Sequence, residues 1–165
     1  MNGITRRPLL TMYGRSRDKM NFRGEVWLEL RGPDGAVKQF VHVPSNAICS
    51  VGEAAIAAHI HSGTVAGSTL FGYLGIGTST TAPATSDTAL GGETGTRVAG
   101  TKSSSGRVLT MTCNFASDNP AGAATLNEVG IFHATTAGSI LAHATCAAVS
   151  KAASDNTSMT YQVTV

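Results

Sequence analysis

The chain has 165 residues and a mass of 16.9 kDa, enough for one domain of ordinary size, or a smaller domain with an arm, and too little for a second catalytic domain. Charged residues make up 13% of it, with a formal net charge of +2, while Gly, Ala, Thr and Ser together supply nearly half the chain. At 42% hydrophobic it is too apolar for a disordered tail and too weakly charged for an acidic or histone-like protein.

The apolar stretch Val51 to Ile60 is interrupted by Glu53 and His59 and falls short of the roughly eighteen residues that span a bilayer, so no transmembrane helix and no membrane partner are expected. Arg6, Arg7, Arg15 and Arg17 are followed by no apolar core of a signal sequence, and the chain is read as one without a secretory leader. Cys49, Cys113 and Cys146 are odd in number and widely spaced, which fits buried free thiols better than a disulfide framework or a zinc site.

Residues 1–23 hold six Lys or Arg against Asp18, whereas residues 24–165 hold nine acids against six bases. The sequence therefore divides into a basic extended arm, 1–23, and a single mildly acidic β-rich domain, 24–165. Pro8, Gly14 and scattered polar residues defeat any regular period in the arm, yet Leu9, Leu10, Met12, Tyr13, Met20 and Phe22 are too apolar for a solvated tail. Such a segment becomes ordered against a partner, and Arg6, Arg7, Leu9, Leu10, Tyr13, Arg15, Arg17 and Phe22 are its candidate partner-binding residues.

From Gly24 the pattern alternates, with Val26, Leu28 and Leu30 on one face and Glu25, Trp27 and Glu29 on the other. The turn residues Gly32-Pro33-Asp34-Gly35 and the run Val37 to Val43 complete a β-hairpin. After Pro44, Ser45 or Asn46 is placed to cap a short amphipathic helix over 47–60, with Ile48, Val51, Ala55, Ile56 and Ile60 at helical spacing. Strands follow at Thr69 to Ile76, Arg107 to Phe115, Leu126 to His133, Ile140 to Cys146 and Met159 to Val165, each bounded by turn formers. Short strands without intervening helices predict a mainly β fold, an antiparallel β-sandwich or open barrel. Between them residues 77–106 carry almost no large apolar side chain and read as a long loop, of the kind that is functional or ordered by outside contacts. Within it Ala89-Leu90 and Arg97-Val98 are candidates for a short edge pairing.

The chemical signatures fail one by one. Gly72 to Gly77 lacks the Lys-Ser/Thr ending of a phosphate loop. His59 and His61 have no nearby ligand partner in sequence and read as helix-end histidines. His133 and His143 fall on neighbouring predicted strands, where cross-strand packing explains them, and His42 falls on the hairpin. No Gly-x-Ser-x-Gly elbow is present. Of the carboxylates Asp87, Glu93, Asp118 and Glu128, only Glu128 interrupts an apolar strand, where it is placed to pair with a basic residue on an adjacent strand. The arm lacks the lysine run and interleaved aromatics of a nucleic-acid binder, so nucleic acid is not an expected partner. These readings leave a non-enzymatic protein with no catalytic residue, no cofactor and no metal.

The run from Tyr73 through Gly75-Ile76-Gly77-Thr78, Thr81-Ala-Pro-Ala-Thr-Ser-Asp-Thr-Ala-Leu90, then Glu93, Arg97, Leu126-Asn-Glu-Val-Gly-Ile-Phe132, Gly138 to Thr145, Lys151 and the Thr-x-Tyr-x-Val-Thr-Val ending resembles small structural proteins of tailed bacteriophages. The resemblance covers residues 47–165. It implies a non-enzymatic virion subunit, assembled in the host cytoplasm, that contacts other virion proteins and forms a homo-oligomer. A tail-side place at a neck, collar or fibre is the first expectation, a capsid-decorating or cement protein the second, and a host-carbohydrate-binding module the third, with Trp27 as the one aromatic suited to it.

Overall fold

Alternation of apolar and polar side chains builds two antiparallel sheets. The computed structural model describes residues 22–62 and 71–165. The elements are β1 (Arg23–Arg31), β2 (Val37–Val43), β3 (Ala47–Ile48), α1 (Ser50–Ser62), β4 (Tyr73–Gly77), β5 (Glu93–Ala99), β6 (Thr101–Ser105), β7 (Val108–Phe115), β8 (Ala124–Phe132), β9 (Ile140–Lys151) and β10 (Asn156–Thr164). The first sheet has the order β2-β1-β10-β7-β6 and the second β3-β9-β8-β4-β5, a β-sandwich as the strand rhythm predicts.

In the first sheet Val26, Leu28 and Leu30 of β1 meet Met159, Tyr161 and Val163 of β10 and Met111 and Phe115 of β7 in the interior. Each such side chain, removed from water, contributes roughly 1.5–3 kcal/mol. The predicted hairpin joins β1 to β2. Its turn places Gly35 at φ 79, a left-handed conformation that glycine adopts without Cβ strain, and Asp34 Oδ1 accepts from the amide of Ala36 at 3.0 Å.

The second sheet closes the core with Leu74, Ile76, Leu126, Val129 and Ile131. Its outer face is covered too: Phe132 and Ile140 are buried with Cys49 and Leu90 in a separate cluster beneath the start of α1 and the segment 78–92. Burial on both faces explains why the end of β8, Val129 to Phe132, is buried at every residue rather than alternately. Helix α1 packs against β9 at Gly52, where a Cβ would lie 2.5 Å from the Cα of Leu141, so only glycine admits this approach.

Several boundaries differ from those expected. The helix over 47–60 begins instead at Ser50, because Ala47 and Ile48 pair with His143 and Ala142 of β9, and Cys49, not Ser45 or Asn46, offers its carbonyl to the amides of Gly52 and Glu53. The arm over 1–23 gives up its last two residues to the domain: Arg23 pairs with Thr164 and Phe22 packs on the core. The loop over 77–106 contains β5, paired with β4, and β6, paired with β7, so its irregular part is 78–92. Val98 pairs with Leu74 and Leu90 is buried in the outer cluster, so the edge pairing of Ala89-Leu90 with Arg97-Val98 does not form. Strand β4 begins at Tyr73, and Thr69 and Leu70 lie outside the described residues.

Candidate functional site

The segment 78–92 is fastened to the second sheet by one buried carboxylate. Glu128 sits on β8, fully buried. Its Oε1 accepts from the amides of Gly92 at 2.6 Å and Ser79 at 3.2 Å, and its Oε2 accepts from the amide of Gly91 at 3.0 Å. His143 on β9 lies beside it, with Nε2 3.0 Å from Glu128 Oε2 and Nδ1 2.7 Å from Asp87 Oδ2. Both ring nitrogens face carboxylate oxygens, so whichever ring nitrogen carries a proton finds an acceptor. Asp87 also accepts from the amide of Ala84 at 2.8 Å. That bond first, and then His143, hold its carboxyl below the usual range, against an opposing contribution from partial burial. Gly77 makes room for the carboxylate: a Cβ there would stand 2.3 Å from Glu128 Oε1.

Three further braces follow the same rule, that a buried charge survives only when its hydrogen bonds are filled. Lys151, 2% exposed, has its Nζ ringed by the carbonyls of Ser117, Pro120, Gly122 and Ala152 at 2.7–3.3 Å, acceptors enough for all three of its N–H groups, and so gathers the β7–β8 and β9–β10 connections. Asp155 accepts from Lys38 Nζ at 2.6 Å and from the Ala152 amide at 3.0 Å; the lysine first, then the amide, hold its carboxyl low. Arg97 lies 3.5 Å over the ring of Phe132. It donates to both oxygens of Glu93, at 2.5 and 2.9 Å, and to the carbonyls of Ala134 and Ala137.

The expected facing of His133 and His143 does not occur: the cross-strand partner of His143 on β8 is Gly130, while His133 is exposed and meets Phe71 edge-on. Glu128 does pair with a basic group on the adjacent strand, and that group is His143. Asp87, the third member, carried no signal beyond its place in the polar segment. Among the described residues no His, Cys, Asp or Glu cluster suits a metal ion; in the Asp87–His143–Glu128 row each ring nitrogen is engaged by a carboxylate. The three cysteines are free. Burial pushes the Cys49 and Cys146 thiols up to about 11 and Cys113 to about 12, which keeps them as poor nucleophiles. The side chains of His59 and His61 lie outside the described residues.

Of the candidate partner-binding residues, Arg6, Arg7, Leu9, Leu10, Tyr13, Arg15 and Arg17 lie outside the described residues. Phe22 is half-buried and packs on its own core, which corrects its assignment to the arm.

The solvent side of the first sheet has a different character from the braced side of the second. Its cross-strand rows are Trp27–Thr160–Thr112–Thr101 and Glu25–Gln162–Thr110–Ser103, so beyond β1 they present hydroxyls and an amide in place of charges. At the β2 edge the Trp27 and His42 rings stack, 4.9 Å apart and 6° from parallel, and Phe40 is 60% exposed.

No protein-family model matches this chain, and comparison with curated proteins and with solved structures finds no match.

Proposed function

We propose that the chain is a non-enzymatic structural subunit of a tailed-bacteriophage virion, placed on the tail side at a neck, collar or fibre attachment and assembled through protein–protein contacts. The observation that carries this reading is the outer face of β10, β7 and β6, whose rows of Ser, Thr, Asn and Gln pack against another protein without stranding a desolvated charge. Phe40 and Trp27 at its rim supply aromatic side chains of the kind that anchor interfaces. The buried ionisable groups support the same reading, since Glu128, His143, Lys151 and Arg97 are engaged in fixing connections to the sheets. The particle itself comes from the sequence resemblance over residues 47–165.

The test is mass spectrometry of purified particles encoded by the genome that carries this chain, with gold-labelled antibody against the exposed stretch of segment 78–89. Label at the neck or tail supports the proposal. Label over the head moves the protein to capsid decoration, which uses the same face, and absence of the chain from particles overturns both.

A second reading, a host-carbohydrate-binding module, is favoured by the Trp27–His42 stack beside exposed Phe40, because sugar rings pack on aromatic faces. Glycan-array binding that is lost in Trp27→Ala would establish it.

A further inference from the structure

At one end of the sandwich the described residues of the two sheets and α1 leave an apolar groove of about 370 Å³ between them. Its walls include Ile56, Phe71, Leu109, Leu141 and Val163, with Lys102 as its charged member and Phe22 on one side. We propose that this groove receives the apolar run Leu9–Tyr13 from the arm of a second copy of the same chain. The inference rests on the reading of the protein as an assembling subunit and names its first partner.

Three observations select this occupant. Phe22, the first described residue, is itself a wall of the groove, so the 21 preceding residues depart from its edge. Strand β1 begins there, with Arg23 opposite Thr164, so the arm joins the body at the groove end. The eight residues 14–21 span roughly 26–29 Å when extended, about the width of a small domain, which brings Leu9–Tyr13 within reach of a neighbouring copy.

Chemistry agrees with the geometry. In the arm Leu9, Leu10, Met12 and Tyr13 form an apolar cluster flanked by Arg6 and Arg7 on one side and Arg15 and Arg17 on the other. Apolar side chains match the groove, whose walls are apolar but for Lys102. Exchange of an identical element between copies is a low-cost route to an oligomer.

The test uses the full chain with a photo-activated benzoylphenylalanine in place of Leu10, prepared once with natural nitrogen and once with ¹⁵N, then mixed, irradiated and digested. Cross-links from position 10 to the peptides bearing Phe71, Leu109 or Leu141, in mixed-isotope pairs, are expected. Groove cross-links within single isotopes only would show that the arm caps its own body, and the exchange would be wrong. Cross-links from position 10 that avoid those peptides would overturn the groove assignment. In parallel, Leu10→Asp should raise the concentration at which oligomers form in sedimentation at least tenfold while leaving the circular dichroism spectrum unchanged; unchanged association would overturn the proposal. Both readouts use purified protein alone, so they fail independently of whether the chain is found in a particle.

Discussion

The Nε2 of His143 stands 3.0 Å from Oε2 of Glu128, on adjacent strands and with both side chains buried. Through these two residues the second sheet holds a segment that its own strand hydrogen bonds do not reach: Glu128 takes the amides of residues 79, 91 and 92, and His143 takes Asp87.

Removing the carboxylate leaves three part-buried amides and one nitrogen of the buried imidazole without their partner. Glu128→Ala is expected to lower unfolding free energy by about 1–3 kcal/mol, the usual range for leaving hydrogen-bonding groups without their partner. Urea denaturation measures the loss, and limited proteolysis should place the earliest new cleavage within 78–92. A variant as stable as the parent would show that the outer apolar cluster, with the Ser50 amide on the Thr85 carbonyl and Asn127 Nδ2 on the Thr78 carbonyl, holds the segment without the carboxylate.

Acidification should act through Asp87 and Asp155. Both carboxyls are held below their ordinary range in the folded protein, so the folded state favours the ionised form. Their contribution is complete above the unfolded carboxylate value and is lost as pH falls through the lower folded value. Thermal unfolding midpoints should therefore decline from about pH 5 downward, and Asp87→Asn should make that decline shallower. An identical acid limb in the variant would remove Asp87 from the account.

The end of the chain is structural. β10 lies between β1 and β7, and Met159, Tyr161 and Val163 are core residues. Deleting residues 159–165 should give insoluble protein, measured as loss from the soluble fraction on expression; a soluble truncation with native circular dichroism would contradict the central position of this strand.

Thiol chemistry should report folding. With burial raising all three thiols to about 11 or above, iodoacetamide at pH 7.5 should label the native protein at least tenfold more slowly than the urea-unfolded chain. Rapid native labelling at Cys113, on β7, would mean that the first sheet opens locally.

The alternation of Val26, Leu28 and Leu30, and of Met159, Tyr161 and Val163, made the first sheet legible because each strand buries one face only. β6 was illegible for the opposite reason: the stretch Thr101–Ser105 is exposed throughout, so it buries nothing that would imprint a period, and its strand character comes from pairing with β7. Ala47 and Ile48 suited a helical spacing but are drawn into pairing with β9. Glu128 was conspicuous as a carboxylate in an apolar strand. Its pairing with a basic residue on the adjacent strand was legible; the part of Asp87 was not, since His143 and Asp87 are 56 residues apart and only the fold brings them together.

Neither sheet is built from a continuous part of the chain: β1, β2, β6, β7 and β10 make one, and β3, β4, β5, β8 and β9 the other. The pairing of Arg23 with Thr164 closes nearly the whole described length. A chain so interleaved has little to gain from folding halfway, because a fragment cut anywhere between β3 and β9 leaves both sheets missing strands. Folding should be slow for a domain of this size, in the millisecond-to-second range of non-local β topologies, and the two sheets should appear and disappear together as one cooperative unit.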